Sequence, residues 1–176
     1  EKFAEGRPCE EMPRITSRIC GICPDAHLMA SAKACDDLYK VELPPTAKKL
    51  RELQYMAFFI GDHATHFYAL GGPDFILGPD APKEERNLLG LIKKVGLDIG
   101  KKVINARREA HEVGAMLGGR PTHSISAIPG GMSKGLNHDE FKILQLISKN
   151  LLDFALFSLK IFEDNVLAKP EYVKLI

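Results

Sequence analysis

The sequence predicts a mainly α protein: a helical bundle of about four long helices with a small irregular or β insert near residues 119–131. Three observations predict it. Apolar residues recur at spacings of three and four along most of the chain, the period of a helix with one buried face. Proline, threonine and asparagine stand where the periodic runs begin, and Gly/Pro-rich stretches separate them. One stretch, "GGRPTHSISAIPGGMSKG", has no helical period.

The first helix is expected from Pro24 to about Tyr39, with Leu28, Ala32, Cys35 and Tyr39 on one face. Proline suits the first helical position, where its missing N–H costs nothing, and Cys23 then lies at the helix mouth. "ELPPT" breaks the chain. Thr46 is read as the cap of a second helix running to about Leu70, with Leu50, Leu53, Ala57, Ile60, Ala64 and Phe67 as its core face. "GGPDFILGPDAP" reads as a connection. A third helical pattern covers about Lys83 to Leu117, with Asp80 as cap and Glu84 and Glu85 near the positive end of the dipole. Gly90, Gly96, Gly100 and Gly114 interrupt it, each costing about 1 kcal/mol relative to alanine, so close packing or a break is expected. Ser124 to Ile128 alternates, as a short strand between glycine turns would. The last helix opens at "NHDE", where Asn137 and Glu140 have the spacing of a capping box, and runs to about Lys169, before Pro170.

The 176 residues suffice for one domain with a sizeable core, and residues 1–176 are read as a single partial domain. Hydrophobic residues make up 45% and charged residues 27%, an ordinary globular balance, and a net charge of +1 points to neither nucleic acid nor an anionic membrane surface. The richest apolar run, Met56 to Ile60, is far too short to span a bilayer. The chain opens at Glu1 without methionine and stops at "YVKLI", and it is read as a piece of a longer polypeptide. Cysteines stand at 9, 20, 23 and 35, in a composition unlike that of a disulfide-stapled scaffold. Reduced thiols are expected.

Three chemistries compete for "RICGICPDAH", Arg18 to His27. Cys20 and Cys23 could be half of a structural zinc site, with His27, His63 or His66 available to complete it. They could be a redox dithiol, since a helix N-terminus favours thiolate. They could also be soft ligands for nickel or iron, with Gly21 free to aim both sulfurs at one point. His27, one turn beyond Cys23, is placed either as a half-exposed helix histidine or as a hydrogen-bond donor to a metal-bound sulfur. A c-type haem is excluded, because Pro24 stands where that motif needs histidine.

The same stretch resembles the first cysteine motif of [NiFe]-hydrogenase large subunits, R-x-C-G-x-C-x-x-x-H. "GDHATHFYALGGPDF", Gly61 to Phe75, is similar to that family's second signature, and "LGGRPTHSISAIPGG", Leu117 to Gly131, to its third. "EGRPCEEMPRITSRICGIC" fits the approach to the cysteines. The resemblance implies reversible heterolytic cleavage of H2 at a nickel-iron centre whose iron carries carbon monoxide and cyanide. It implies Cys20 as a terminal thiolate on nickel, Cys23 as a bridge between nickel and iron, His27 as a hydrogen-bond partner of a thiolate, and Glu1 as a magnesium ligand. His123, Gly130 and Gly131 match the third motif as structural residues, and His63 and His66 are read as packing residues at the buried end of a helix. The implied partners are a small subunit carrying iron–sulfur clusters and further electron-transfer subunits.

The family's second CxxC is not among these 176 residues, so this stretch alone is expected to be inactive and to hold no nickel or iron. Cys20 and Cys23 argue against the related quinone-site subunit of NADH dehydrogenase, which lacks those thiolates. "RICGICP" and "HSISAIPGG" look most like the cytoplasmic, multimeric hydrogenases that reduce soluble carriers; a membrane-bound energy-converting hydrogenase also keeps the cysteines. The non-enzymatic alternative is a zinc- or disulfide-stabilised helical interaction module.

Overall fold

The computed structural model describes residues 2–174, which leaves the magnesium expectation for Glu1 outside the described residues. The chain is mainly α. Four long helices are present: α2 (Pro24–Tyr39), α3 (Pro45–Thr65), α5 (Leu97–Gly118) and α6 (His138–Phe162). Shorter helices α1 (Met12–Thr16), α4 (Leu88–Val95) and α7 (Pro170–Val173) accompany them, with one two-stranded antiparallel hairpin, β1 (Ala127–Ile128) and β2 (Gly131–Met132). Two compact units are formed, Glu1–Asp62 with Ala110–Gln145 and His63–Glu109 with Leu146–Ile176.

Several boundaries follow local chemistry that the sequence displays. α2 begins at Pro24 with Cys23 in the capping position and ends at left-handed Lys40. At α6 the capping box forms in both directions: the Glu140 N–H donates to Asn137 Oδ1 and the Asn137 N–H to Glu140 Oε2, each at 2.9 Å. Winding continues past Phe162 as a π turn to Leu167, ending close to the expected Lys169.

Other boundaries differ. α3 starts at Pro45, so Thr46 lies inside the first turn and does not cap it. Beyond Thr65 the chain winds as π turns over His66–Gly71 and again over Pro73–Leu77, so half of the expected Gly/Pro-rich connection is helical. The third pattern is two helices. Asp80 caps neither of them; Asn87 caps α4, its side chain accepting from the N–H groups of Leu89 and Gly90. The break falls at Gly96, whose φ of 93° lies where only glycine is comfortable.

The buried face of α3 keeps Ala57 and Ala64 of the expected one and otherwise lies one residue away from it. Ala47, Arg51, Gln54, Ala57 and Gly61 are buried in the first unit, whereas Leu50, Leu53 and Ile60 are only half-buried. Two large polar residues therefore sit at core positions. They do so because they are fully occupied. Arg51 pairs with Asp36 of α2 at 2.5 Å, with both side chains less than 10% exposed. Its remaining N–H groups donate to the Ile128 carbonyl at 2.7 Å and the Gly131 carbonyl at 3.1 Å, and Asp36 Oδ1 accepts from the Gly130 N–H at 2.6 Å. A hairpin of two residues per strand has too few ladder bonds to stand alone. The Arg51–Asp36 pair clamps it over a cluster of Leu28, Met29, Ala32 and Ala127, against which Tyr55 and Met132 pack.

The insert meets the end of α5 closely enough to require glycine: a Cβ on Gly118 would collide with the Ser124 side chain. In the second unit, buried Tyr68 shares a hydrogen bond with Ser158 at 2.8 Å and packs on Phe154. Among the described residues no helix is long and apolar enough to cross a membrane.

Removing one partner of a buried ion pair strands the other charge in the interior. Arg51→Met should therefore lower the stability of the intact protein by about 3 kcal/mol in equilibrium urea unfolding. Arg51→Met with Asp36→Leu should recover part of that loss; equal losses in the single and double variants would show that the stranded charge is not its origin.

Candidate metal centre

The chain enters the site through the short helix α1. Thr16 Oγ1 donates to Met12 O at 2.9 Å and also lies 3.3 Å from the His27 carbonyl, which ties this turn to α2. Ser17, almost fully buried, offers its carbonyl to His123 Nδ1 at 2.8 Å. His123 is left-handed, with φ 57°, and thereby connects the insert to the residue three positions before Cys20. The structural reading of His123 accords with this bond.

From Arg18 the backbone turns through Gly21 and enters α2 at Pro24. Within this turn the N–H of Cys23 points at Cys20 Sγ at 3.2 Å and that of Ile22 at 3.4 Å. Two N–H donors stabilise a sulfur anion. Together with the Cys23 side chain, the larger influence, they hold the Cys20 thiol below its ordinary range. Cys23 is pushed the other way, chiefly because its thiol is the group shared with Cys20 and secondarily by burial. The Asp62 carboxylate of α3 opposes ionisation of both. Of the two, Cys20 is therefore the more readily ionised. A divalent metal would draw off the second proton, since cysteine binds metals as thiolate.

His27 stands one turn along α2, its N–H bonded to the Cys23 carbonyl at 3.4 Å. The Cys20, Cys23 and His27 ligand atoms all lie within 4.8 Å of one another, and each side chain is half-buried. Among the described residues this is the one such group of three or more His, Cys, Asp or Glu. Two soft sulfurs and an imidazole suit nickel, iron or zinc. Ile19 and Ile22, next to the two cysteines in sequence, are exposed.

Sequence reasoning passed over the residues that support this turn. Asp25, in the first turn of α2, is buried, and burial raises its pKa against hydrogen bonds from Ser124 and Gln54 that lower it. Gln54 is fully buried and accepts from the Ser126 hydroxyl at 3.1 Å while its amide lies 3.5 Å from Asp25 Oδ2. Asp25 Oδ1 is buried without a partner among the described residues. The one available signal was the position of Asp25, directly after Cys23-Pro24. His63 and His66 are exposed on the chain from α3 into the π turn, so the expectation that they pack in the interior is not met.

The family model for nickel-dependent hydrogenase matches residues 1–87. Over all 176 residues the chain is 46% identical to an iron-sulfur subunit of the F420-non-reducing hydrogenase of Archaeoglobus profundus, spanning 36% of that protein. It is 36% identical to the NAD-reducing hydrogenase HoxS subunit beta of Cupriavidus necator, with 93% of this chain and 36% of that protein aligned. The crystal structure of an NAD+-reducing [NiFe]-hydrogenase in the H2-reduced state superposes with a TM-score of 0.88 at 34% identity, over 95% of this chain and 37% of the other. A Ni-Fe-Se hydrogenase of D. vulgaris Hildenborough gives a TM-score of 0.76 at 31% identity, over 88% and 34%. The chain thus spans a little over a third of the curated relatives it matches.

The asymmetry between the two thiols is measurable in the metal-free protein. Cys20 should react with iodoacetamide several-fold faster than Cys23 at neutral pH, and its rate should reach half-maximum below the usual thiol range. Peptide mass spectrometry reads both rates. Faster labelling of Cys23 would contradict the hydrogen-bond assignment.

Proposed function

The chain belongs to the nickel-dependent hydrogenase family, and on that premise we propose that it supplies the first two thiolates of a nickel-iron centre for the reversible cleavage of H2. The observation that carries this reading is the convergence of Cys20, Cys23 and His27 within 4.8 Å, at the mouth of a helix that begins with Pro24. The donor set fits the metals. Cys20 would hold nickel, Cys23 would hold both nickel and an iron bearing carbon monoxide and cyanide, and Glu1 would bind magnesium by its place in the sequence.

When bound, nickel and iron act as Lewis acids that polarise H2 for heterolytic splitting. The residues of this chain do the rest of what falls to it. Cys20 Sγ, addressed by two N–H groups, is the more readily ionised of the two sulfurs and would take up the proton. Cys23, whose thiol its Cys20 neighbour and burial push above the ordinary range, would give up that proton only to the metal, since cysteine binds metals as thiolate. His27 presents its ring to the sulfurs from one turn further on and orients them by hydrogen bonding. Ile19 and Ile22 keep water from the sulfurs once the rest of the protein covers them.

The remaining two thiolates come from another part of the intact protein, as does the group that relays protons outward. Electrons pass to iron–sulfur clusters in a small subunit, then to further electron-transfer subunits. The likeness to soluble carrier-reducing hydrogenases supports a cytoplasmic enzyme, and the 46% identity to an F420-non-reducing relative supports an acceptor other than F420.

In the intact protein, Cys20→Ser should reduce H2-dependent viologen reduction to background, at least a thousandfold below wild type. Wild-type protein that carries zinc and shows no such activity would favour a zinc-stabilised interaction module instead.

A further inference from the structure

Two sulfurs outside the metal centre also meet. Cys9 opens a short 3-10 turn, Cys9–Glu11, and Cys35 lies in the fourth turn of α2. Twenty-six positions separate them in sequence, yet their Sγ atoms are 3.1 Å apart. A disulfide bond of about 2.0 Å therefore needs only a small closing movement. The Cys35 thiol also donates to the Cys9 carbonyl at 3.3 Å, and close to the cysteines Tyr39 donates to Glu10 at 2.7 Å, which holds the turn against α2. Cys9 is half-buried and Cys35 fully buried, so one thiol can be reached from solvent and the other waits behind it.

We propose that Cys9 and Cys35 are a reversible dithiol–disulfide site whose oxidant is a low-molecular-weight disulfide, R–S–S–R. The Cys9 thiolate attacks one sulfur of the oxidant and releases the first RS⁻, giving a mixed disulfide at Cys9. The Cys35 sulfur then attacks Cys9 Sγ and displaces the second RS⁻. The two protons lost by the cysteines end on the two leaving thiolates. One disulfide is reduced to two RSH as one forms in the protein. Burial, with the Cys9 neighbour second, pushes the Cys35 thiol up to about 11, which makes Cys9 the entry point and the second step the slower one. The bond would close a loop from 9 to 35 that contains Cys20, Cys23 and His27, and would restrict that segment when it opens. The inference is independent of hydrogen chemistry.

The test uses the intact protein incubated with oxidised glutathione, blocked with iodoacetamide and digested with trypsin. A peptide holding Cys9 joined to one holding Cys35 is expected at close to one per chain, and dithiothreitol should release it. Cys9→Ser, at the more exposed position, should abolish the linked species and leave labelling of Cys20 and Cys23 unchanged. Oxidised wild type should also melt above reduced wild type, a gap absent in Cys9→Ser. Full alkylation of both cysteines after oxidation, a glutathione adduct persisting at Cys9, or linkage of either to Cys20 or Cys23 would each overturn the proposal.

Discussion

Everything in the first unit depends on delivering two sulfur atoms to one point from a backbone that is changing conformation as it does so. The turn between Cys20 and Pro24 has no regular hydrogen bonding of its own, apart from the N–H groups that it directs at Cys20 Sγ. Its shape is therefore imposed from both sides. Upstream, Ser17 is held by His123 and Thr16 touches the carbonyl of His27. Downstream, Asp25 is gripped by Gln54 and Ser124, and Gln54 by Ser126. Buried polar groups are stabilising only while satisfied, so this network tolerates few arrangements. That intolerance is what fixes the sulfurs.

The same logic explains the hairpin. Four strand residues cannot define a sheet, and the insert that carries His123, Ser124 and Ser126 takes its position from Arg51 and Asp36. Core and site are here one polar construction laid over the small apolar cluster of Leu28, Met29, Ala32 and Ala127.

This construction also decides what could be read from the sequence. α2 was legible because Pro24 and the periodic residues Leu28, Ala32 and Cys35 agree, and the start of α6 because Asn137 and Glu140 can cap each other at that spacing. Cys20, Cys23 and His27 were legible as a group because spacings of three and four bring them to one helix mouth. The inward face of α3 was not, since an apolar-in rule places Leu50 and Leu53 where the protein buries Arg51 and Gln54. Nor was the split of the third pattern at Gly96 rather than at its three companion glycines, a choice made by local backbone conformation. The Cys9–Cys35 approach is tertiary, and nothing in its 26-residue spacing announces it. Leu152, Leu156 and Leu159 are exposed at helical spacing along α6, and Leu146, Ile19 and Ile22 are exposed as well. That surface accords with a chain matching little more than a third of its relatives' length.

The central claim is that the paired sulfurs at the start of α2 are nickel ligands. Nickel K-edge X-ray absorption on the intact protein, compared between wild type and Cys23→Ser, addresses it directly. The account predicts nearest neighbours dominated by sulfur in wild type, with an iron atom beyond them, and loss of both features in the variant. Nickel surrounded by nitrogen and oxygen alone, or a wild-type spectrum unchanged by the substitution, would contradict it.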